Sequence, residues 1–254
     1  MAFSSAKICD RDQDRASADR SKTWIFAAAV ILFGSALRLY HINGQSLWYD
    51  ELFSIQGSRL GWDGMMKFVI NDAVHPPLHY VLMHWVFGIF GVGEPQSRLP
   101  SVLFGAGELF VVWLLARKLF NSSVATIATA ILAVSQIAIT HSQEARGYEM
   151  TSFLAAVAAY AFVSALTQKR MGWWWGFVAT AVLLLYTHYY SIFVLAGFVW
   201  FGIAYRRRFA ISGWWWIALG AVVGVAYSPW LLSGIVRNIL NAGRIRGGVP
   251  HLLN

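Results

Sequence analysis

Asp50 and Glu51 stand side by side in the stretch Gln45-Ser-Leu-Trp-Tyr-Asp-Glu, directly behind Trp48 and Tyr49. A carboxylate held against aromatic rings is poorly solvated, a setting that suits a general base taking the proton of an incoming hydroxyl. Neighbouring helical residues point about 100° apart, so one acid can face a site while the other orients its surroundings. The same pair would also serve merely to solvate a loop. Further on, His75-Pro-Pro-Leu-His79 sets two prolines where the first turn of a helix tolerates them, and His75 just ahead of that turn is placed to meet an anion such as phosphate. The other reading of His75 is an interfacial histidine. The prolines spoil a His75/His79 metal pair, and Cys9 is the only cysteine, so a cysteine-based metal site and a disulfide framework are both excluded.

A third stretch, His141-Ser-Gln-Glu-Ala-Arg-Gly-Tyr-Glu149, surrounds Arg146 with Glu144, Tyr148 and Glu149. A guanidinium can clamp phosphate through two parallel hydrogen bonds, or it can snorkel to lipid headgroups. His188, in Tyr186-Thr-His-Tyr-Tyr190, can contact a ligand or anchor an interface. Glu108 lies inside an apolar run, where an ionised side chain is costly and marks function or a pairing helix.

The elements that must carry these residues are membrane helices. Of the 254 residues, 57% are hydrophobic and only 13% are charged, too few to cover a soluble domain. The 13 Trp gather near the ends of apolar runs, as in Trp173–Trp175 and Trp214–Trp216, which reads as an aromatic belt. The net charge of +8 is scattered in short clusters between apolar runs, so nucleic acid is not a partner and the bilayer is. Runs at about 24–40, 98–117, 122–140, 150–167, 172–187, 190–205 and 213–232 each approach the roughly 20 residues that a span needs. Leu78–Phe90 is shorter and suits an interfacial or re-entrant helix. The expected fold is therefore an all-α integral membrane bundle of about seven spans, with a long outer loop, residues 41–97, of interfacial helices after the first span.

Lys and Arg favour the cytoplasmic side. With the N-terminus inside, Lys7, Arg11, Arg15, Arg20, Lys22, Arg117, Lys118, Lys169, Arg170 and Arg206–Arg208 all fall there. The polar stretches 41–97, 141–148 and the region of His188 then converge on the opposite, outer face. This divides the chain into a basic cytoplasmic tail (1–23), a membrane domain (24–232) and an outer segment (233–254), in a multi-pass protein of the cytoplasmic (inner) membrane.

The Asp50-Glu51 pair, His75-Pro-Pro-Leu, Arg98-Leu-Pro-Ser101 and Gln143-Glu-Ala-Arg-Gly-Tyr148, taken as a set, resemble the polyprenyl-phosphate-sugar-dependent glycosyltransferases of the GT-C fold. The likeness, from about Trp24 to Tyr190, is to the bacterial branch related to dolichyl-phosphate-mannose protein mannosyltransferases and lipid A aminoarabinose transferases. It implies inverting transfer of a sugar from a polyprenyl-phosphate donor to a lipid, glycan or protein acceptor. It implies Asp50 as the base with Glu51 as its companion, and His75, Arg146, Tyr148, Glu149 and His188 around the donor. No cofactor is required by this reading, and a divalent cation has no support in the sequence. The departures are Thr151 where better-known members have aspartate, and a chain shorter than members of 11 to 13 spans, so a truncated chain is expected. The alternatives are an inactive fragment of such an enzyme and a transporter or flippase.

Overall fold

The computed structural model describes residues 23–72, 75–209 and 212–247, with side chains through Gly234. The expected cytoplasmic tail and residues 248–254 lie outside the described residues. The described chain is helical, with no strand among the described residues. It runs α1 Thr23–Leu39, then α2 Tyr49–Ser58, α3 Trp62–Asp72, α4 Leu78–Phe90, α5 Glu94–Leu119, α6 Ser122–Ala133, α7 Gln136–Ser142, α8 Tyr148–Gln168, α9 Met171–Thr187, α10 Ser191–Ala204, α11 Arg206–Phe209 and α12 Gly213–Gly247.

Every apolar run expected to span is helical, but the helices are not alike. Among the described residues, three are long and apolar enough to cross a membrane alone: α5, α8 and the Gly213–Gly234 part of α12. The run 122–140 is broken into α6 and α7, bent by 64° between Ala133 and Gln136. The runs of α1, α9 and α10 form shorter apolar helices. At 1.5 Å per residue, the 17 residues of α9 rise about 25 Å, below a hydrocarbon core of about 30 Å. The final helix continues to Gly247, past the expected boundary at 232. The stretch between α1 and α5 holds three helices, and α4 has the bounds its composition suggested.

Core packing centres on α8 and α9. Ala158, Ala161 and Ala165 present small side chains from α8, and Phe177, Ala181 and Leu184 answer from α9. A Cβ placed on Gly176 would sit 3.8 Å from Ala161, so the backbones approach closely. Between apolar lipid tails, such close van der Waals contact takes over from the hydrophobic effect as the source of helix association. Leu32, Phe33, Phe193 and Val225 are exposed on the outside of the bundle, where acyl chains would cover them.

The two ends of the bundle differ in chemistry. At one end, Arg117 lies 4.6 Å from the Trp24 ring and 4.9 Å from the Trp113 ring, joining the start of α1 to the end of α5. Lys118 sits 5.3 Å from the Tyr160 ring, which contacts Trp173. Lys169 and Arg170, between α8 and α9, share this end. At the other end, where α8 begins and α9 finishes, the Tyr148 and His188 rings are 6.1 Å apart.

Candidate functional site

The site end is built around the turn from α7 to α8, which carries Arg146. Three anchors from three elements fix the backbone there. The N–H of Ala145 donates to Glu51 Oε1 at 2.8 Å, His79 Nε2 lies 3.3 Å from the Ala145 carbonyl, and Ser101 Oγ donates to the Arg146 carbonyl at 3.2 Å. Burial keeps His79 neutral by lowering its pKa, so its Nε2–H is available to donate.

The Arg146 side chain, itself buried, gathers the neighbouring polar groups. Its Nη1 donates to the Asp50 carbonyl and to Ser54 Oγ, each at 3.3 Å. Its Nη2 donates to His75 Nε2 at 2.9 Å and to Tyr148 Oη at 3.5 Å, and lies 3.6 Å from Asp50 Oδ2. The rings of Tyr148 and Trp48 stand 5.5 and 6.0 Å from the guanidinium carbon. Asp50 sits in the first turn of α2 with its side chain 40% exposed, in contact with Arg146 and open to an incoming molecule.

Two histidines flank the guanidinium. Burial lowers the pKa of His75, and the Arg146 cation lowers it further against the opposing pull of Asp72 and Asp50. His188 is lowered by burial, then by His75 and Arg146. Both therefore favour the neutral imidazole. The cleft lined by Ser54, His75, His79, Arg146, Tyr148 and His188 has a volume of about 10 Å³, room for a single water. The polar groups therefore stabilise one another by direct contact, and an anion binding here would exchange for contacts that Arg146 now makes.

Residues 74–232 match the family described as dolichyl-phosphate-mannose-protein mannosyltransferase. The chain belongs to that family. His75, Arg146, Tyr148, Glu149 and His188 fall inside the matched region, whereas Asp50 and Glu51 precede it. The chain is also similar to an uncharacterized protein of Aquifex aeolicus (strain VF5), at 27% identity over 159 residues, covering 56% of this chain and 32% of that one. The chain thus spans about a third of the length of that curated relative.

The expected site residues do not all meet. Asp50, His75, Arg146, Tyr148 and His188 are gathered at one end. Glu51, in contrast, is 1% exposed and its carboxylate is fully engaged. Both its oxygens receive Arg98, Nε on Oε1 and Nη2 on Oε2, each at 3.0 Å. Oε1 also accepts from Ala145 and Oε2 from the Trp48 N–H at 3.3 Å. Arg98 then reaches the carbonyls of Ile42 and Gln45 through Nη1.

Glu149 does not line the Arg146 cleft either. It is buried beside Arg38, Glu108 and Ser142, packed so closely that a Cβ on Gly105 would come within 2.7 Å of Glu149 Oε1 and 2.9 Å of Arg38 Nε. Helix α8 starts at Tyr148, and one step along it turns the next side chain about 100° away from the cleft. Ser152 donates to Glu108 in the same group. Arg38 also sends Nη1 to the carbonyls of Gly34, in α1, and Ala133 and Nη2 to that of Leu132, bridging α1 to the break between α6 and α7.

Several of these residues were not singled out from the sequence. Ser54 carries no signal beyond its place one turn after Asp50. Arg38 does carry a signal, since a lone arginine in an apolar run is rare and marks a polar partner.

Proposed function

We propose that this protein is a membrane glycosyltransferase that moves a sugar from a polyprenyl-phosphate donor to an acceptor hydroxyl, with inversion, on the outer face of the cytoplasmic membrane. Arg146 carries this reading, because one buried guanidinium touches both a half-exposed carboxylate, Asp50, and two hydrogen-bonding groups suited to an anion, His75 and Tyr148. Sugar transfer from a phosphate donor needs those two functions next to each other. The acceptor O–H gives its proton to Asp50 as the oxygen bonds to the anomeric carbon. The bond from that carbon to the phosphate oxygen breaks, and its electron pair leaves with the phosphate. Arg146 stabilises the departing negative charge, with His75 and His188 beside it. Phosphate is a good leaving group, so no strong general acid is required.

Glu51 acts in this scheme as a positioning residue. It ties Arg98 and the Ala145 N–H together and so sets where Arg146 stands. The acceptor is a lipid, glycan or protein hydroxyl.

The test is direct. Membranes containing the protein are incubated with polyprenyl phosphates bearing a radiolabelled sugar, and both the label and the freed polyprenyl phosphate are followed. Label in a new product together with equimolar polyprenyl phosphate supports the proposal. Label in free sugar alone, or none moved at all with a panel of hexose and pentose donors, counts against it.

A further inference from the structure

At the basic end of the bundle, away from Arg146 by the length of α9, lies a cavity of about 400 Å³. Its walls include Leu166 and Lys169 from the end of α8, Trp174 from α9, Phe209 from α11, and Ser212 and Trp215 at the start of α12. The apolar members suit a hydrocarbon chain, and Lys169 and Ser212 give the rim a cation and a hydroxyl. The Trp215 indole N–H is buried without a hydrogen-bond partner among the described residues.

The charge around the cavity has no internal answer. Glu149 is the last acidic residue of the sequence, so every charged residue after it is Lys or Arg. Lys169 and Arg170 are exposed, as are Arg206–Arg208 on the same short helix as Phe209. None of the five forms an ion pair among the described residues. Lys169 also holds φ at +52°, a left-handed helix end where glycine is the usual residue. A lysine stands at this strained position, and it lines the cavity.

We infer that this cavity binds an anionic phospholipid of the surrounding leaflet, its phosphate against Lys169 and the α11 arginines and an acyl chain along Leu166, Trp174 and Phe209. Basic pockets between membrane helices recognise such headgroups through cations at the membrane surface. The site does not depend on the sugar-transfer reading, because it lies at the opposite end of the bundle and uses none of the same residues.

The test is native mass spectrometry of the full chain released from nanodiscs holding equal amounts of phosphatidylglycerol and phosphatidylcholine. Wild-type protein should retain phosphatidylglycerol preferentially. Lys169→Gly should lower that retention about fivefold, the share of one surface cation, and it removes the amine where glycine relieves strain, so loss of lipid does not signify misfolding. Equal retention of the two lipids, or unchanged preference in Lys169→Gly and in an Arg206/Arg207/Arg208→Gln variant, overturns the site. Full displacement by glycerophosphoglycerol, which has the headgroup without acyl chains, also overturns it and leaves only a surface anion contact.

Discussion

Arg146 Nη2 donates a 2.9 Å hydrogen bond to His75 Nε2, a contact that a neutral imidazole can accept. A nitrogen that accepts from a guanidinium carries no proton, so the His75 proton sits on Nδ1, which faces Asp72 Oδ2 at 3.5 Å. This contact and the lowered pKa both favour the neutral imidazole at rest.

A pH dependence follows, with its sign set by the lowered pKa of His75. The unfolded chain binds the His75 proton more readily, so this group's share of stability is present above the ordinary histidine range and is lost as pH falls through it. Donor binding runs the other way. A phosphate raises the histidine pKa, so affinity for a short-chain polyprenyl-phosphate sugar should strengthen as pH falls through neutral toward 6. The gain is at most about tenfold per pH unit for one proton taken up. The donor is a phosphodiester and does not titrate there. Calorimetric titrations between pH 8 and 6 should show this slope in wild type and a much flatter one in His75→Asn. A flat wild-type profile would rule out proton uptake by His75.

Replacing Arg146 by lysine keeps the charge and loses the fork. One ammonium cannot reach Ser54, His75, Tyr148 and a phosphate in the geometry that the guanidinium offers. Loss of one charge-assisted hydrogen bond costs about 1.5–3 kcal/mol, so donor affinity should fall about ten- to a hundredfold. A residue serving only lipid headgroups would tolerate lysine, and unchanged donor binding in Arg146→Lys would remove it from the site.

The Glu51–Arg98 pair predicts a stability effect with a distinctive cycle. Removing one partner of a buried ion pair leaves a bare charge and costs about 3–5 kcal/mol. Arg98→Met should therefore lower the thermal midpoint sharply, and Glu51→Gln should lower it less, since the amide still accepts from Ala145. The double variant should be more stable than Arg98→Met alone. Additive losses in thermal unfolding would show that the two side chains act separately.

Orientation is open to chemical labelling. In a Cys9→Ala background, a cysteine at Tyr190, exposed at the site end, should react with a membrane-impermeant thiol reagent on intact cells. A cysteine at Arg207, at the basic end, should react only after the membrane is opened. The opposite pattern would place the Arg146 site in the cytoplasm.

What the sequence made legible, and what it hid, divides along physical lines. Helices declare themselves through local composition, so α4 could be bounded at Leu78 and Phe90 from its apolar length alone. The break between α6 and α7 was not visible, because Val134-Ser135 is unremarkable as a sequence. The break is braced from a distance by Arg38, whose guanidinium donates to the carbonyls of Leu132 and Ala133. The pairing of Arg146 with His75 joins residues 71 apart and no periodicity reports it; only the combined motifs brought the two into one hypothesis. Proximity in sequence places Glu149 with Arg146, but the start of α8 at Tyr148 turns it into the group around Arg38. Proximity likewise places Glu51 with Asp50, and the helical step between them sends one carboxylate to Arg98 and leaves the other open.

The most direct measurement of the central claim is sugar transfer by Asp50→Asn, assayed beside wild type and Glu51→Gln at matched membrane expression and with donor binding measured in parallel. The amide is nearly isosteric with the carboxylate, and the Asp50 contacts through its backbone carbonyl to Arg146 and Ser54 are kept. A positioned general base contributes about 10²–10⁴-fold. Transfer by Asp50→Asn should therefore fall by at least about a hundredfold while donor affinity holds or rises slightly, since a negative charge near the phosphate is removed. Transfer at near wild-type rate in Asp50→Asn, with donor still bound, would contradict the account.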